Sequence, residues 1–165
     1  MKRFPTGEYG RQRLEFFPAP RKAPLRAFAA LVFPWVEDRV VICDIAGRGW
    51  CIPSGRVEPN ESSVEAVRRE AAEEAGVEFC AVHYIGCYRI TEKSEVRWAD
   101  CFTARVKRLA EISMPEESRG RRIVSLDELP PIYHLWNELT ELVFAHAQAA
   151  LARAEGSGTG AAKPL

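Results

Sequence analysis

The sequence predicts an α+β domain in which a mixed β-sheet is covered by helices. Three observations predict it. Runs dense in apolar and β-branched residues recur along the chain, as in RAFAALVF, RVVICDI, VEFCAVHYIGCYRI and VRWADCFTARV, and such runs bounded by turn residues read as strands. Only two segments carry helical periodicity. Strands precede, separate and follow those two segments, which argues against a regular βαβ array.

The elements follow in order. Residues 1–25 hold six Lys/Arg and two Glu, interleaved with Phe4, Tyr9, Phe16 and Phe17 and broken by prolines. They read as an N-terminal arm or extra strand whose aromatics pack on the domain or on a second subunit. Basic and aromatic residues mixed this way also suit single-stranded nucleic acid, but the chain as a whole is not basic. The domain proper spans 26–153. RAFAALVF and RVVICDI form a hairpin joined by PWVED, and Gly47 and Gly49 punctuate a turn before the short WCIP segment. An acid-rich helix follows, then two long strands separated by the polar loop TEKSE (91–95). After the loop SMPEESRGR, RRIVSL reads as the last strand and DELPP stops it. IYHLWNELTELVFAHAQAALARA carries Leu135, Leu139, Leu142 and Ala149 at helical spacing, a helix laid on the sheet. Residues 154–165 read as a flexible tail with no core to join.

Bulk properties bound the function. A chain of 165 residues with 47% hydrophobic content suits one domain with one core. Its formal net charge of zero gives no global case for nucleic-acid binding, so electrostatic specialisation must be local. Five cysteines (43, 51, 80, 87, 101) show no CxxC pair and mostly fall in apolar runs, which reads as reduced, buried thiols in a cytoplasmic protein. The longest apolar run, residues 27–33, is far too short to span a bilayer, so no membrane partner is expected. The start MKRFPTGEYGRQR has no apolar signal core.

The local specialisation lies in SGRVEPNESSVEAVRREAAEEAGV, residues 54–77, which packs six carboxylates and three arginines into 24 residues. Ser62 with Glu65 makes a capping box, and Gly76 suits the left-handed position that ends a helix. Val64, Val67, Ala71 and Ala75 form a narrow apolar stripe, and Glu70, Glu73 and Glu74 fall beside it. Like charges at i,i+4 destabilise a helix by roughly 0.2–0.5 kcal/mol per pair, and acids belong at the other helix end. Helix stability would not choose this arrangement. A hard divalent cation, Mg²⁺ or Mn²⁺, would.

The same stretch resembles the Nudix box: Gly55, Glu61, Arg69-Glu70, Ala71, Glu73-Glu74, Gly76 and Val77 stand at every spacing of that motif. WCIPSG stands where the family commonly has Trp-x-x-Pro-Gly-Gly, and SLDELPP resembles its closing turn; the resemblance covers residues 26–150. It implies a Nudix-type α/β/α sandwich and a Mg²⁺-dependent pyrophosphohydrolase, with Mn²⁺ as substitute. The substrate class it implies is a nucleoside diphosphate linked to another moiety. Glu70, Glu73 and Glu74 carry over as metal ligands, with a backbone carbonyl near Gly55. Arg69 would pair with Glu61 and orient the glutamates. For a general base the family uses either a box glutamate or one on a late loop, where this chain has Glu116 and Glu117, flanked by Arg119, Arg121 and Arg122. Ser54 replaces the commoner first glycine, which would strain a left-handed backbone there, and Ala71 is small for its apolar slot.

His83 reads as a satisfied core histidine, and no role is assigned to His134 or His146. The window 91–95 holds neither the proline nor the tyrosine of two known substrate subfamilies, so base, sugar and phosphate number stay open. Phe28, Trp35, Tyr88 and Trp98 are candidates for stacking on a base. Two alternatives remain: a non-catalytic nucleotide sensor, and an RNA-directed, decapping-like hydrolase using the basic arm. Resemblance also points to a homodimer with the N-terminal arm as contributor.

Overall fold

The computed structural model describes residues 3–161. Its strands are β1 (Gly7–Tyr9), β2 (Gln12–Pro18), β3 (Ala29–Val36), β4 (Arg39–Ile45), β5 (Gly49–Cys51), β6 (Ser54–Arg56), β7 (Val77–Glu92), β8 (Glu95–Leu109) and β9 (Ser118–Val124). Helix α1 spans Ser63–Ala75 and α2 spans Glu138–Ala161. The strands form one sheet in the order β1-β2-β7-β8-β3-β4-β5, with β6 also on β3 and β9 also on β4. The β3–β8 pair is parallel and the others are antiparallel, so the sheet is mixed as expected.

Period-two alternation sends each strand to two cores. On β3, Phe33 and Trp35 face α2 while Ala30 and Val32 face α1; on β4, Val40 and Ile42 face α2 while Val41, Cys43 and Ile45 face α1. The α2 core contains Leu139, Val143, Phe144, Ala147 and Leu151, and the α1 core contains Ala66, Val67, Ala71 and Ala75. Sheet between helices is therefore the layer order. Small alanines on α1 let it lie close to the strands, and the fully buried Ala71 fits its slot. Val64, expected in that stripe, is 36% exposed.

Several boundaries move. The PWVED connection shrinks to a turn at Glu37 and Asp38, because Pro34, Trp35 and Val36 continue β3. TEKSE shrinks to Lys93 and Ser94: Lys93 takes φ 55, and Glu92 pairs with Glu95 across the turn. Helix α2 begins six residues later than its apolar spacing suggests. Tyr133 bridges to Trp50, and the His134 N–H is spent on the Trp50 carbonyl, so 132–137 runs irregularly. Asn137 then starts the helix, its Oδ1 accepting the Thr140 N–H at 2.9 Å. Leu135 lies before that helix, Leu142 is half-buried and Ala149 is exposed, so the packed stripe is rotated from the expected one. At the other end, the tail expected from 154 is helical to Ala161. Arg105 of β8 holds Glu155 through two hydrogen bonds of 2.9 and 2.7 Å, fixing the helix to the sheet beyond 153. Residues 162–165 lie outside the described residues.

The N-terminal segment pairs β2 with β7 along six residues and places Phe16 in the α2 core. Phe4 packs edge-on to Phe16, with ring centres 4.8 Å apart. Among the described residues no helix is long and apolar enough to cross a membrane.

Candidate active site

Helix α1 is fixed at both ends. The Ser62 side chain accepts the Glu65 N–H, the Glu65 carboxylate accepts the Ser62 N–H, and Gly76 ends the helix at φ 63. A Cβ at Gly76 would strike the Ala110 carbonyl, so glycine is required there for space as well as conformation. Arg121 donates from Nη1 to the carbonyls of Ala75 and Ala110, tying the helix end to the residue that follows β8. Arg121 is thus engaged in a structural contact at the helix end.

Strand β6 lies directly before the helix face that carries the acids. Glu74 is 5% exposed, and its Oε2 accepts the Ser54 N–H at 3.2 Å. Ser54 sits in ordinary extended backbone paired with Leu31, so the strain expected of serine there is absent. The Glu70 carboxylate lies over Gly55; a Cβ at 55 would overlap it. Glu70 and Glu74 lie close enough to influence each other's ionisation. Burial pushes the Glu74 carboxyl up to about 9, with the Glu70 charge adding to it and the Ser54 N–H opposing. Burial also raises Glu70, against the opposing effect of Glu74 and Arg69.

Arg69 is the hub on the solvent side. Its Nε and Nη2 grip the two oxygens of Glu61 at 2.8 and 3.0 Å, and Nη1 reaches Glu70 at 2.9 Å and Glu73 at 3.3 Å. Nη2 also donates to the Arg56 carbonyl at 3.1 Å. Hydrogen bonding by Arg69 holds Glu61 down at about 2. Arg68 leaves the acids alone and donates to the Phe79 and Cys80 carbonyls of β7.

Of the expected ligands, the structure brings Glu70 and Glu74 together and ties Glu73 to Arg69. Among the described residues no three His, Cys, Asp or Glu side chains gather as a metal centre. The donor chemistry nevertheless fits a hard cation: two neighbouring carboxylates, both raised by burial, offer oxygen ligands on one helix face. Glu116 and Glu117 lie exposed in a turn that docks by backbone, Met114 N–H to the Glu73 carbonyl and Ala46 N–H to the Glu117 carbonyl. That turn borders the C-terminal end of α1 without bringing either carboxylate into the hydrogen-bonded cluster.

On the other side of β6 opens a cavity of about 380 Å³. Ser54, Gly55 and Arg56 form a wall common to both spaces. Phe28 and Tyr88 line it, whereas Trp35 is fully buried on Thr103 and Trp98 packs against Phe17. The Arg97 guanidinium lies 4.6 Å from the Phe28 ring centre, a cation held at an aromatic wall.

Sequence reasoning missed several lining groups. Tyr9 and Gln12 come from the N-terminal hairpin, and Tyr133 and His134 come from the segment read as helix. Two prolines before Ile132 and aromatics without helical contacts were the available signal for that segment. His134 Nδ1 donates to the Trp50 carbonyl at 3.1 Å, and burial lowers its pKa. His146 Nε2 meets the Ile85 carbonyl at 3.0 Å, and half-buried His83 lies outside the core.

Arg48 was also missed. Its Nη1 lies 3.2 Å from Ser54 Oγ and 3.9 Å from Cys51 Sγ. All five cysteines are free; four are buried and Cys80 is exposed. The hydrogen bond from Cys43 lowers the Cys51 thiol and Arg48 assists, while the same bond and burial raise Cys43.

Comparison with known proteins bears on the family and the fold. The family model described as NUDIX domain matches residues 25–145. A Bacillus subtilis (strain 168) protein named 8-oxo-dGTP diphosphatase, YtkD, is 32% identical over 99 residues, covering 54% of this chain and 61% of that protein. The chain thus spans under two thirds of that relative's length. An alanine variant of the Bacillus subtilis pyrophosphohydrolase BsRppH superposes with a TM-score of 0.63 at 21% identity, over 68% of this chain and 71% of that one. A NUDIX hydrolase from Nitrosomonas europaea gives 0.62 at 20% identity, over 74% and 90%. At these identities the solved structures establish the fold.

Proposed function

This chain belongs to the Nudix hydrolase family, and from that premise we propose a divalent-cation-dependent pyrophosphohydrolase for a nucleoside diphosphate linked to another moiety. The observation that carries the proposal is the shared wall. Ser54 and Gly55 touch the Glu74–Glu70 pair on one side and line an aromatic, arginine-bearing cavity on the other. A nucleotide spanning that wall would rest its base among Phe28, Tyr88 and Tyr133 and present its phosphates toward the acids.

Glu70 and Glu74 would hold Mg²⁺ or Mn²⁺, with Glu73, now shared with Arg69, completing the carboxylate set. When bound, the cation supplies charge neutralisation for phosphate oxygens and acidifies water. Arg69 and Glu61 keep the glutamates in place. Gly55 leaves room for Glu70, and the Ser54 N–H holds Glu74. Arg48 and Arg56 line the cavity beside that wall.

The test is a panel of nucleoside triphosphates including 8-oxo-dGTP, nucleotide sugars and dinucleoside polyphosphates, assayed with and without EDTA. The expected result is release of a nucleoside monophosphate from at least one class, abolished by EDTA and restored by Mg²⁺ or Mn²⁺. Binding of a nucleotide across the whole panel without turnover would make the chain a sensor instead.

A further inference from the structure

Cys43 and Cys51 stand directly opposite each other on antiparallel β4 and β5. Each thiol lies near the other's main chain, Cys43 Sγ at 3.4 Å from the Cys51 carbonyl and Cys51 Sγ at 3.8 Å from the Cys43 carbonyl. Both side chains point into the core under α1. Residues paired this way have Cα atoms roughly 4.5–5.5 Å apart, inside the span a disulfide bridges. The pair also has chemistry around it. The Arg48 guanidinium lies 3.9 Å from Cys51 Sγ, Cys51 lines the substrate cavity, and Cys43 Sγ lies 4.0 Å from Glu74 Oε2.

We propose that Cys43 and Cys51 are a peroxide-oxidisable dithiol that closes to a disulfide and lowers the activity of the adjoining site. Cys51, entered from the cavity and backed by Arg48, is the attacking thiolate. Its sulfur takes one oxygen from hydrogen peroxide, the O–O bond breaks, and hydroxide leaves, giving a sulfenic acid. Cys43 then attacks that sulfur; the S–O bond breaks, a disulfide forms and water leaves. In sum, two thiols and one peroxide give one disulfide and two waters. The bond draws Cys43 Sγ away from Glu74 and fixes β5 to β4. Ile52 and Pro53 connect β5 to Ser54, so the Ser54 N–H that holds Glu74 shifts as well. The other cysteines lack this arrangement. Cys101 pairs with Gly86, Cys87 with Asp100, and Cys80 is exposed on β7.

The loss of activity rests on the hydrolase reading, whereas the bond itself does not. Full-length protein treated with hydrogen peroxide is denatured, its thiols counted, and its peptides mapped by mass. Free thiols should fall from five to three, with residues 43 and 51 in one cross-linked peptide two hydrogens lighter than the reduced pair. Hydrolysis should fall in parallel and return with dithiothreitol. Cys43→Ser should trap Cys51 as sulfenic acid, labelled by dimedone, and Cys51→Ser should give no label at 43. Five surviving thiols, a link between 87 and 101, or a 43–51 bond formed at undiminished turnover would each overturn the proposal. Absence of any hydrolysis by the reduced protein would count against the functional reading alone.

Discussion

Arg121 Nη1 donates at 2.9 Å to the carbonyl of Ala75, the last residue of the helix that carries Glu70, Glu73 and Glu74. A helix end leaves carbonyls without partners, and acids near that end work against the helix dipole. A guanidinium there answers both difficulties at once. Replacing Arg121 by alanine should orphan the Ala75 and Ala110 carbonyls at a cost of about 1–3 kcal/mol. The expected outcome is a melting temperature several degrees lower and reduced turnover, while Arg119→Ala, at an exposed position, changes neither. Circular dichroism melts of the two variants decide it; an unchanged Arg121→Ala midpoint removes Arg121 from the helix end.

Gly55 makes a sharper prediction, because it concerns space and little else. Gly55→Ala places a methyl where the Glu70 carboxylate lies. The backbone at 55 is ordinary strand, so the variant should fold, with Glu70 pushed aside. Displacement of a catalytic group by about 1 Å can cost roughly 10²-fold in rate. Steady-state kinetics should show that loss in kcat, with a normal far-ultraviolet spectrum. Wild-type turnover from Gly55→Ala would mean that Glu70 need not lie where the structure puts it.

How far the sequence alone reached is clearest from contrasting residues. Ser62, Glu65 and Gly76 interact within a turn or two, and their roles could be read directly because capping is local chemistry. Glu61 and Arg69 are eight residues apart, still local, and pair as the family resemblance implied. Leu135 misled because helical spacing says nothing of whether the backbone is free to coil; here Tyr133 and His134 are engaged by Trp50, some 80 residues earlier. Glu73 shows a different limit. Its position on the helix face was legible, but competition from Arg69 for its carboxylate depends on rotamers. Arg48, Cys43 and Cys51 acquire meaning only through strand register, which apolar patterning does not encode at single-residue precision.

The Glu61–Arg69 pair gives the fold an acid-dependent stability. Arg69 holds the folded-state Glu61 carboxyl down at about 2, against 4.5 for the free group. A depressed carboxylate stabilises the fold above the unfolded value, and that contribution disappears as pH falls through the folded one. Glu61→Gln should therefore be less stable than wild type at pH 6–7. The gap should narrow from about pH 4.5 downward and close near pH 2. Urea midpoints of both proteins across that range measure it, and a gap independent of pH would place the stabilisation in packing.

Cation binding can be read without any substrate. A ligand that binds only the folded state adds RT ln(1 + [L]/Kd) to its stability, about 2.7 kcal/mol at a hundredfold excess over Kd. Mg²⁺ or Mn²⁺ should raise the wild-type melting temperature in this manner. Glu74→Gln keeps an oxygen for the Ser54 N–H and so should fold, but it should lose the metal-dependent rise and several orders of magnitude in turnover. Equal metal-induced shifts in the two proteins would move the cation site away from Glu74.

Substrate discrimination should depend on the aromatic wall. Phe28 is half-buried, lines the cavity and carries Arg97 at 4.6 Å from its ring centre. If a base rests there, its binding energy comes from dispersion and apolar contact remote from the phosphorus. Phe28→Ala should then raise KM by about tenfold, equivalent to about 1.4 kcal/mol of lost binding, with kcat nearly unchanged. Inorganic pyrophosphate, which has no base, should bind both proteins equally well and serves as the internal reference. A matching loss of pyrophosphate affinity would assign Phe28 to the support of Arg56 and Arg97, and the base would have to lie elsewhere in the cavity.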